Sequence, residues 1–385
     1  MARARPLVFL IAGEPSGDLL GARLMAAMKA ERGGDLDFAG LGGPLMEAEG
    51  LSSLFDVTEL ALMGLVEVVG HIPRILRRIR ETEAAIRAAA PDLLVTIDSP
   101  GFSLRVAKRL RGAGFPLVHY VAPSVWAWKP GRARKIAAYL DHLLCLLPFE
   151  PPYFERHGLA ATFVGHPVVE SAQQPSDPGG LRAALGLAPG QPLLTVLPGS
   201  RRGEVERLTP VFGEVLARLA PAMPDLAVVV PTVPGVRALV RERTAAWPLP
   251  VHLVEGEQRR RDAFAASRAG LAASGTVTLE MAVAGLPGVV AYRVNGLTAA
   301  IVRRMLKVEW ASMASLVMGR LVQPECLQEN CTPEKILAAL APLMADGPER
   351  RRVIEDGLEA ARRLGLGGDA PSRRAARTVL GLLPG

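Results

Sequence analysis

Residues 193–206, LLTVLPGSRRGEVE, combine an apolar run, a Pro-Gly-Ser turn, two arginines and a helix opening near Gly203. Unpaired N–H groups at a helix start, together with the helix dipole, attract an anion. Gly199 lets a ligand approach the backbone closely, and the planar fork of Arg201 suits phosphate oxygens. A diphosphate site at Gly199, Ser200 and Arg201 is one reading. An ordinary βα turn carrying a surface arginine is the other. The run 273–280, ASGTVTLE, repeats the pattern, with Ser274, Gly275 and Thr276 at a second anion-binding helix start. Glu280, one turn further in, is within reach of ribose hydroxyls.

A different chemistry is suggested in the first half. Asp98 follows the strand-like run 91–97, PDLLVTI, and precedes Ser99-Pro100-Gly101. Ligands of open α/β sheets bind beyond the carboxyl ends of strands, so an acid there is a candidate general base. A cap for the helix beginning at Phe102 fits the same residue. The turn 13–18, GEPSGD, is either a loop whose Ser16 and N–H groups face a substrate or a tight βα turn. In the second case Asp18 or Ser16 caps a helix over 19–29. Residues 122–132, APSVWAWKPGR, place Trp126 and Trp128 beside Lys129 and Arg132. Indoles stack on sugars and pack on lipid chains, and the cations suit a phosphate.

These stretches need strands and helices to hold them. Strand-like runs at 7–11, 37–41, 91–97, 117–121, 143–147 and 162–164 alternate with helical segments. After a Pro/Gly/Ser/Asp-rich stretch the alternation restarts, with strands at 193–197, 227–230, 251–254, 270–273 and 288–291. Such alternation predicts a parallel, doubly wound sheet in each half, an α/β class with two Rossmann-like domains. The expected boundaries are a first domain over 1–172, a linker over 173–192 and a second domain over 193–385. Helices near 334–345, 348–363 and 371–382 end the chain, and the last of them are candidates for packing back on the first domain.

The 385 residues are 49% apolar and 22% charged, enough for a core in each half. A net charge of +7 favours an anionic partner. Basic residues are scattered among acids without an aromatic-basic motif, which argues against nucleic acid. Three cysteines, an odd number with no CxxC pair, argue against a disulfide framework and suit a reducing compartment. The histidines show no metal-binding spacing, so no metal is expected. No run is apolar enough to span a bilayer. Residues 60–80 do combine an apolar surface, Leu62, Met63, Val66, Val69 and Ile72, with a basic stripe, Arg74, Arg77 and Arg78. That suits either a surface for anionic lipid or a core helix leading into a solvated one.

The order of the motifs resembles a known family of B-type, two-domain glycosyltransferases, the lipid-A-disaccharide synthases. The resemblance rests on GEPSGD at 13–18, Met63-Gly64, Ile97-Asp98-Ser99-Pro100, PSVWAW at 123–128, LPFE at 147–150 and Gly165-His166-Pro167. LPGSR at 197–201, ASGT at 273–276 and Gln328-Glu329 complete it, so it runs from residue 7 to about residue 340. Where Pro-Asn is common in the family, this chain has Ala314-Ser315.

The resemblance implies transfer of 2,3-diacylglucosamine from its UDP derivative to the 6-hydroxyl of 2,3-diacylglucosamine 1-phosphate, with inversion. It implies no cofactor and no metal, and action at the cytoplasmic face of the inner membrane. By the same resemblance Asp98 is the base, with Ser16 and Glu14 alternative or supporting groups. Gln328 and Glu329 join the nucleotide residues, while Ser124, Trp126, Lys129 and Arg132 are candidates for the acceptor and its phosphate. A homodimer is compatible with the sequence. Two rival readings are a UDP-sugar epimerase on the same fold and a non-catalytic binder of anionic lipid.

Overall fold

The structure, a computed structural model, is described over residues 5–61, 68–295 and 309–384, without the side chains of 61 and 68–72. The chain divides into two compact units: Met1–Pro167 with Gly367–Gly385, and Val168–Leu366.

The first unit is built on six parallel strands. These are β1 (Leu7–Ala12), β2 (Asp37–Leu41), β3 (Leu93–Ile97), β4 (Leu117–Tyr120), β5 (His142–Cys145) and β6 (Ala160–Phe163), in the order 2-1-3-4-5-6. β1 and β3 are buried along their whole length, as expected of a parallel sheet covered on both faces. On one face Leu10, Val95 and Val118 pack with Leu24 and Met28 of the helix Pro15–Arg32 and with Ala375 and Val379 of the helix Pro371–Leu380. On the other, Phe9, Leu94 and Leu143 pack with Ile79, Val106 and Ile136. Strand order reverses between β1 and β3, where the register pairs Ala12 with Ile97. The turns carrying Gly13 and Asp98 therefore leave the sheet side by side.

The second unit repeats the plan with β7 (Leu193–Leu197), β8 (Ala227–Thr232), β9 (Val251–Glu255), β10 (Ala269–Ala273), β11 (Gly288–Tyr292) and β12 (Glu325–Leu327). Their order is 12-11-10-7-8-9. Reversal here falls between β7 and β10, whose register pairs Leu197 with Ala272. Residues 322–329 contain the edge strand β12.

Three local expectations need correction. The stretch 173–192 contains the helix Pro178–Ala184. Its Leu181 is buried with Leu193 and Val229, and Asp177 N–H donates to Asp262 at 2.8 Å, so the stretch is part of the second unit rather than a linker. The chain end over 367–385 belongs to the first unit. There Arg374 donates to the Phe163 carbonyl at 2.8 Å and Arg377 pairs with Glu31 at 3.2 Å. The first helix begins at Pro15 with Glu14 at its cap position and no side-chain cap. Asp18 is instead buried and accepts from Gly43, Leu45 and Met46 N–H at 2.9–3.0 Å. It caps the helix Pro44–Ala48, because three orphan donors at that helix start outweigh one at its own.

Candidate functional site

In the second unit a cavity of about 260 Å³ lies beyond the carboxyl ends of β7, β8 and β10, at the point where strand order reverses. Gly199, Ser200, Arg201, Ser274, Gly275, Thr276 and Glu280 all line it. Sheet register explains the convergence: β7 and β10 are hydrogen-bonded neighbours, so the two strand-turn-helix segments open into one crevice.

The Pro-Gly-Ser-Arg turn works differently from expectation. Glu204 is buried, and its carboxylate accepts from Ser200 N–H at 3.1 Å, Arg201 N–H at 3.3 Å and Arg201 Nη1 at 3.0 Å. The backbone donors assigned to phosphate therefore hold this carboxylate. Gly199 permits the arrangement: its φ is +119°, and a Cβ there would stand 2.4 Å from Glu204 Cβ. What remains for an anion is the Arg201 guanidinium, whose side chain is 80% exposed. The helix Thr276–Val283 adds its first N–H groups, which have no intrahelical acceptor.

Glu280 is paired with Arg260 at 2.7 Å. Burial pushes the Glu280 carboxyl above the usual range, with Arg260 pulling the other way. Arg260 and Thr232 line the cavity and were not expected from sequence. Thr232 Oγ1 is buried without a hydrogen-bond partner, an orphaned hydroxyl that a ligand would satisfy. Gln328 and Glu329 do not line this cavity; they form the short turn Gln328–Asn330 after β12, where Gln328 Oε1 accepts from Val294 N–H at 3.3 Å. At the family's Pro-Asn position, Ala314 and Ser315 are fully buried. Ser315 Oγ bonds Ser312 Oγ at 2.8 Å and accepts from Val322 N–H at 3.0 Å, so it closes a loop.

In the first unit the reversal point carries Asp98. Asp98 and Ser99 both have left-handed backbones, φ +47° and +42°. Consecutive non-glycine residues in that region are strained and mark a position held by its surroundings. Asp98 N–H donates to the Tyr120 carbonyl at 2.9 Å, which fixes the turn. Its carboxylate is half-buried and accepts from Ser16 Oγ at 3.4 Å. Ser16 thus orients Asp98, while Glu14 is exposed beside it.

The aromatic loop divides its labour. Trp126 is half-buried, donates from Nε1 to Glu150 at 3.1 Å and meets Phe149 edge-on at 5.3 Å. That makes Trp126 a packing residue and leaves Trp128 as the exposed indole, with Lys129 Nζ 4.5 Å from its ring. Ser124 is exposed, and Arg132 opens the helix Arg132–Ala137.

Glu150 also accepts from Leu146 and Leu147 N–H at 3.1 and 3.0 Å. Burial pushes its carboxyl up to about 7 against the pull of these donors. The folded group keeps its proton to about 7 while the unfolded one releases it near 4.5. Its contribution to stability is therefore complete below that lower value and is lost as the pH rises through 7. Trp126 fluorescence should titrate near neutrality. Glu150→Gln should remove that titration, with Trp126→Phe identifying the reporter.

Of the expected lipid surface, Leu62, Met63 and Val66 lie outside the described residues, as do the side chains of Val69 and Ile72. Arg78 and Arg74 both bond Glu59 at 2.7 Å and pull its carboxyl down to about 2. Arg77 stands 3.5 Å from Glu81. The stripe is thus largely paired within the protein. Among the described residues no helix is long and apolar enough to cross a membrane. Nor, among them, do three His, Cys, Asp or Glu gather as metal ligands.

The family model described as lipid-A-disaccharide synthetase matches residues 8–365. A lipid-A-disaccharide synthase of Rhodospirillum centenum is 52% identical over 98% of this chain and 94% of its own. Among solved structures, the UDP-GlcNAc 2-epimerase from Neisseria meningitidis bound to UDP-GlcNAc aligns with a TM-score of 0.64 at 11% identity, covering 98% of each chain. The glycotransferase of kitacinnamycin aligns with a TM-score of 0.63 at 15% identity, covering 99% of this chain and 100% of its own. At such identities these two speak for the fold: paired Rossmann-like units of the B-type glycosyltransferase class.

Proposed function

The chain belongs to the lipid-A-disaccharide synthase family, and from that membership we propose how its residues share the reaction. It is a glycosyltransferase that makes the lipid A disaccharide, with a UDP-sugar as donor. The donor in this reading is UDP-2,3-diacylglucosamine and the acceptor 2,3-diacylglucosamine 1-phosphate. The enzyme works on the cytoplasmic face of the inner membrane.

The second unit takes the nucleotide. Its diphosphate rests against the Ser274–Thr276 helix start, Arg201 and Arg260, which offset charge as the C1–O bond to UDP breaks. Thr232 Oγ1 and Glu280 meet hydroxyls of the donor. In the first unit Asp98, held by Ser16, takes the proton of the acceptor 6-hydroxyl. That oxygen attacks C1 in line, one bond forming as the other breaks, so the anomeric centre inverts. Lys129 and Arg132 stand near the acceptor phosphate.

The observation that supports this reading most is the meeting of the Gly199–Arg201 turn, the Ser274–Thr276 helix start and Glu280 in one crevice. The epimerase alternative keeps the same nucleotide crevice but needs no acceptor. Release of UDP is therefore the test. It should require both acylated substrates, and release from the donor alone, or conversion of UDP-N-acetylglucosamine to an epimer, would overturn the reading.

A further inference from the structure

The turns that leave β3, β4 and β5 stand side by side at the carboxyl edge of the first sheet. The turn after β3 carries Asp98, whose N–H is held by the Tyr120 carbonyl at the end of β4. The loop after β4, residues 121–132, carries Trp128, Lys129 and Arg132. It contains two left-handed non-glycine residues, Val121 at φ +82° and Lys129 at φ +50°. Such residues persist only where their surroundings hold them, and a β-branched one is a clear outlier.

Between those two residues the loop is tied to the turn after β5. Trp126 Nε1 donates to Glu150 Oε1 at 3.1 Å, and its ring meets Phe149 edge-on. Glu150 Oε2 accepts from Leu146 and Leu147 N–H. The side chain is 3% exposed, so one buried carboxylate joins two loops. All three of these partners are donors. The charged carboxylate accepts from each, and its charge strengthens each bond. A protonated carboxyl adds a hydrogen for which none of the three offers an acceptor. Leu146 and Leu147 N–H belong to the turn that carries Glu150 itself, so the bond to Trp126 is the one that gives way.

We propose that Glu150 is a positioning residue for the acceptor: its carboxylate, through Trp126, holds the loop 121–132 in the form that presents Trp128, Lys129 and Arg132. The inference rests on reading those three as acceptor contacts. Burial lifts the Glu150 carboxyl to about 7, against the pull of its N–H donors. Acidification through that value therefore releases the loop and weakens acceptor use. The nucleotide crevice, built from residues of the second unit, is untouched.

Other titratable groups on the neighbouring strands are His119 on β4 and His142 and Cys145 on β5. Burial pushes His119 down to about 3, lowers His142 and raises the Cys145 thiol, so all three are uncharged at pH 7. Glu155 ends the helix that follows Glu150, and Arg132, Arg134 and Lys135 lie on the helix packed against it. Burial and the three N–H donors, rather than these charges, set the Glu150 shift.

The test follows UDP release and equilibrium binding of detergent-dispersed 2,3-diacylglucosamine 1-phosphate between about pH 6 and pH 8, on either side of the Glu150 titration. Glu150→Gln keeps a carbonyl oxygen for Leu146 and Leu147 N–H but sets an amide N–H₂ against Trp126 Nε1–H, so the tie is absent at every pH. At the alkaline end kcat/KM for the acceptor should be about ten-fold below the parent, the loss of one hydrogen bond to a charged group. At the acid end the parent is itself protonated, and the ratio should shrink to under about two. Taking the ratio cancels titration of the acceptor phosphate and of Asp98, which both chains share. KM for the donor should not change. Trp126→Phe keeps a ring against Phe149 and should show the same acceptor loss, and in the double variant the two losses should not multiply.

A ratio constant across the pH range, multiplied losses in the double variant, or an equal rise in donor KM would overturn the proposal. Trp126→Phe leaves Glu150 and its backbone donors in place, so it decides the matter even if Glu150→Gln does not fold. A parent that releases UDP without acceptor would end the reading of the reaction. Binding of the acceptor phosphate to parent and variants would still decide the role of Glu150.

Discussion

Asp98→Asn stops turnover, with kcat falling between about 10² and 10⁴-fold, while UDP affinity stays within a few-fold. The substitution isolates chemistry from folding. Asp98 sits at φ +47°, a left-handed conformation that Asn tolerates as readily as Asp. The amide still accepts from Ser16 Oγ, and the backbone bond to Tyr120 is untouched. Only the ability to take a proton is lost. UDP affinity is spared because the nucleotide crevice is built wholly from residues of the second unit. Steady-state UDP release and UDP titration of the same preparation check both halves. An Asp98→Asn variant running at more than a tenth of the parent rate removes Asp98 as the base.

Arg201→Ala is expected to lower kcat/KM by about 10² to 10³-fold, the range for removing one preorganised donor from a developing anion. Its side chain is 80% exposed, so stability should hardly change. Glu204 keeps its two backbone donors, Ser200 and Arg201 N–H, and the turn survives. Arg201→Lys keeps the charge without the planar fork and should recover only part of the loss. Full recovery by Lys would mean that a point charge suffices. Circular dichroism and thermal melts of each variant separate these effects from unfolding.

Much of the architecture was readable because a parallel sheet buried on both faces needs uninterrupted apolar strands. Runs such as LVFLIA and LLVTI have few other uses. The two anion turns were readable for a related reason: strand, glycine turn and helix start are contiguous in the chain.

What escaped depends on contacts between distant residues. Arg260 is one of three consecutive arginines, and only its position after β9 brings it to Glu280. Thr232 ends β8, two residues beyond the expected end of that strand at Val230. Asp18 had a capping role in its own helix to fill, and it took the one offered by a turn 25 residues further on. Trp126 and Trp128 look alike in sequence, and only the burial of Glu150 decides which indole turns inward. Glu204 was visible as an acid in a first helical turn. That it would fold back onto Ser200 N–H follows from the φ of Gly199, which no composition reveals. The closing helix shows its small-residue stripe of Ala375, Ala376 and Val379, but the surface that receives it lies more than 300 residues earlier.

A structure determined with UDP bound tests the central claim most directly. The account predicts the diphosphate against the Ser274–Thr276 helix start, with the Arg201 guanidinium and Arg260 turned onto its oxygens and Thr232 Oγ1 hydrogen-bonded to the ligand. UDP seated elsewhere, with that crevice empty and Arg201 still directed to Glu204, would contradict it.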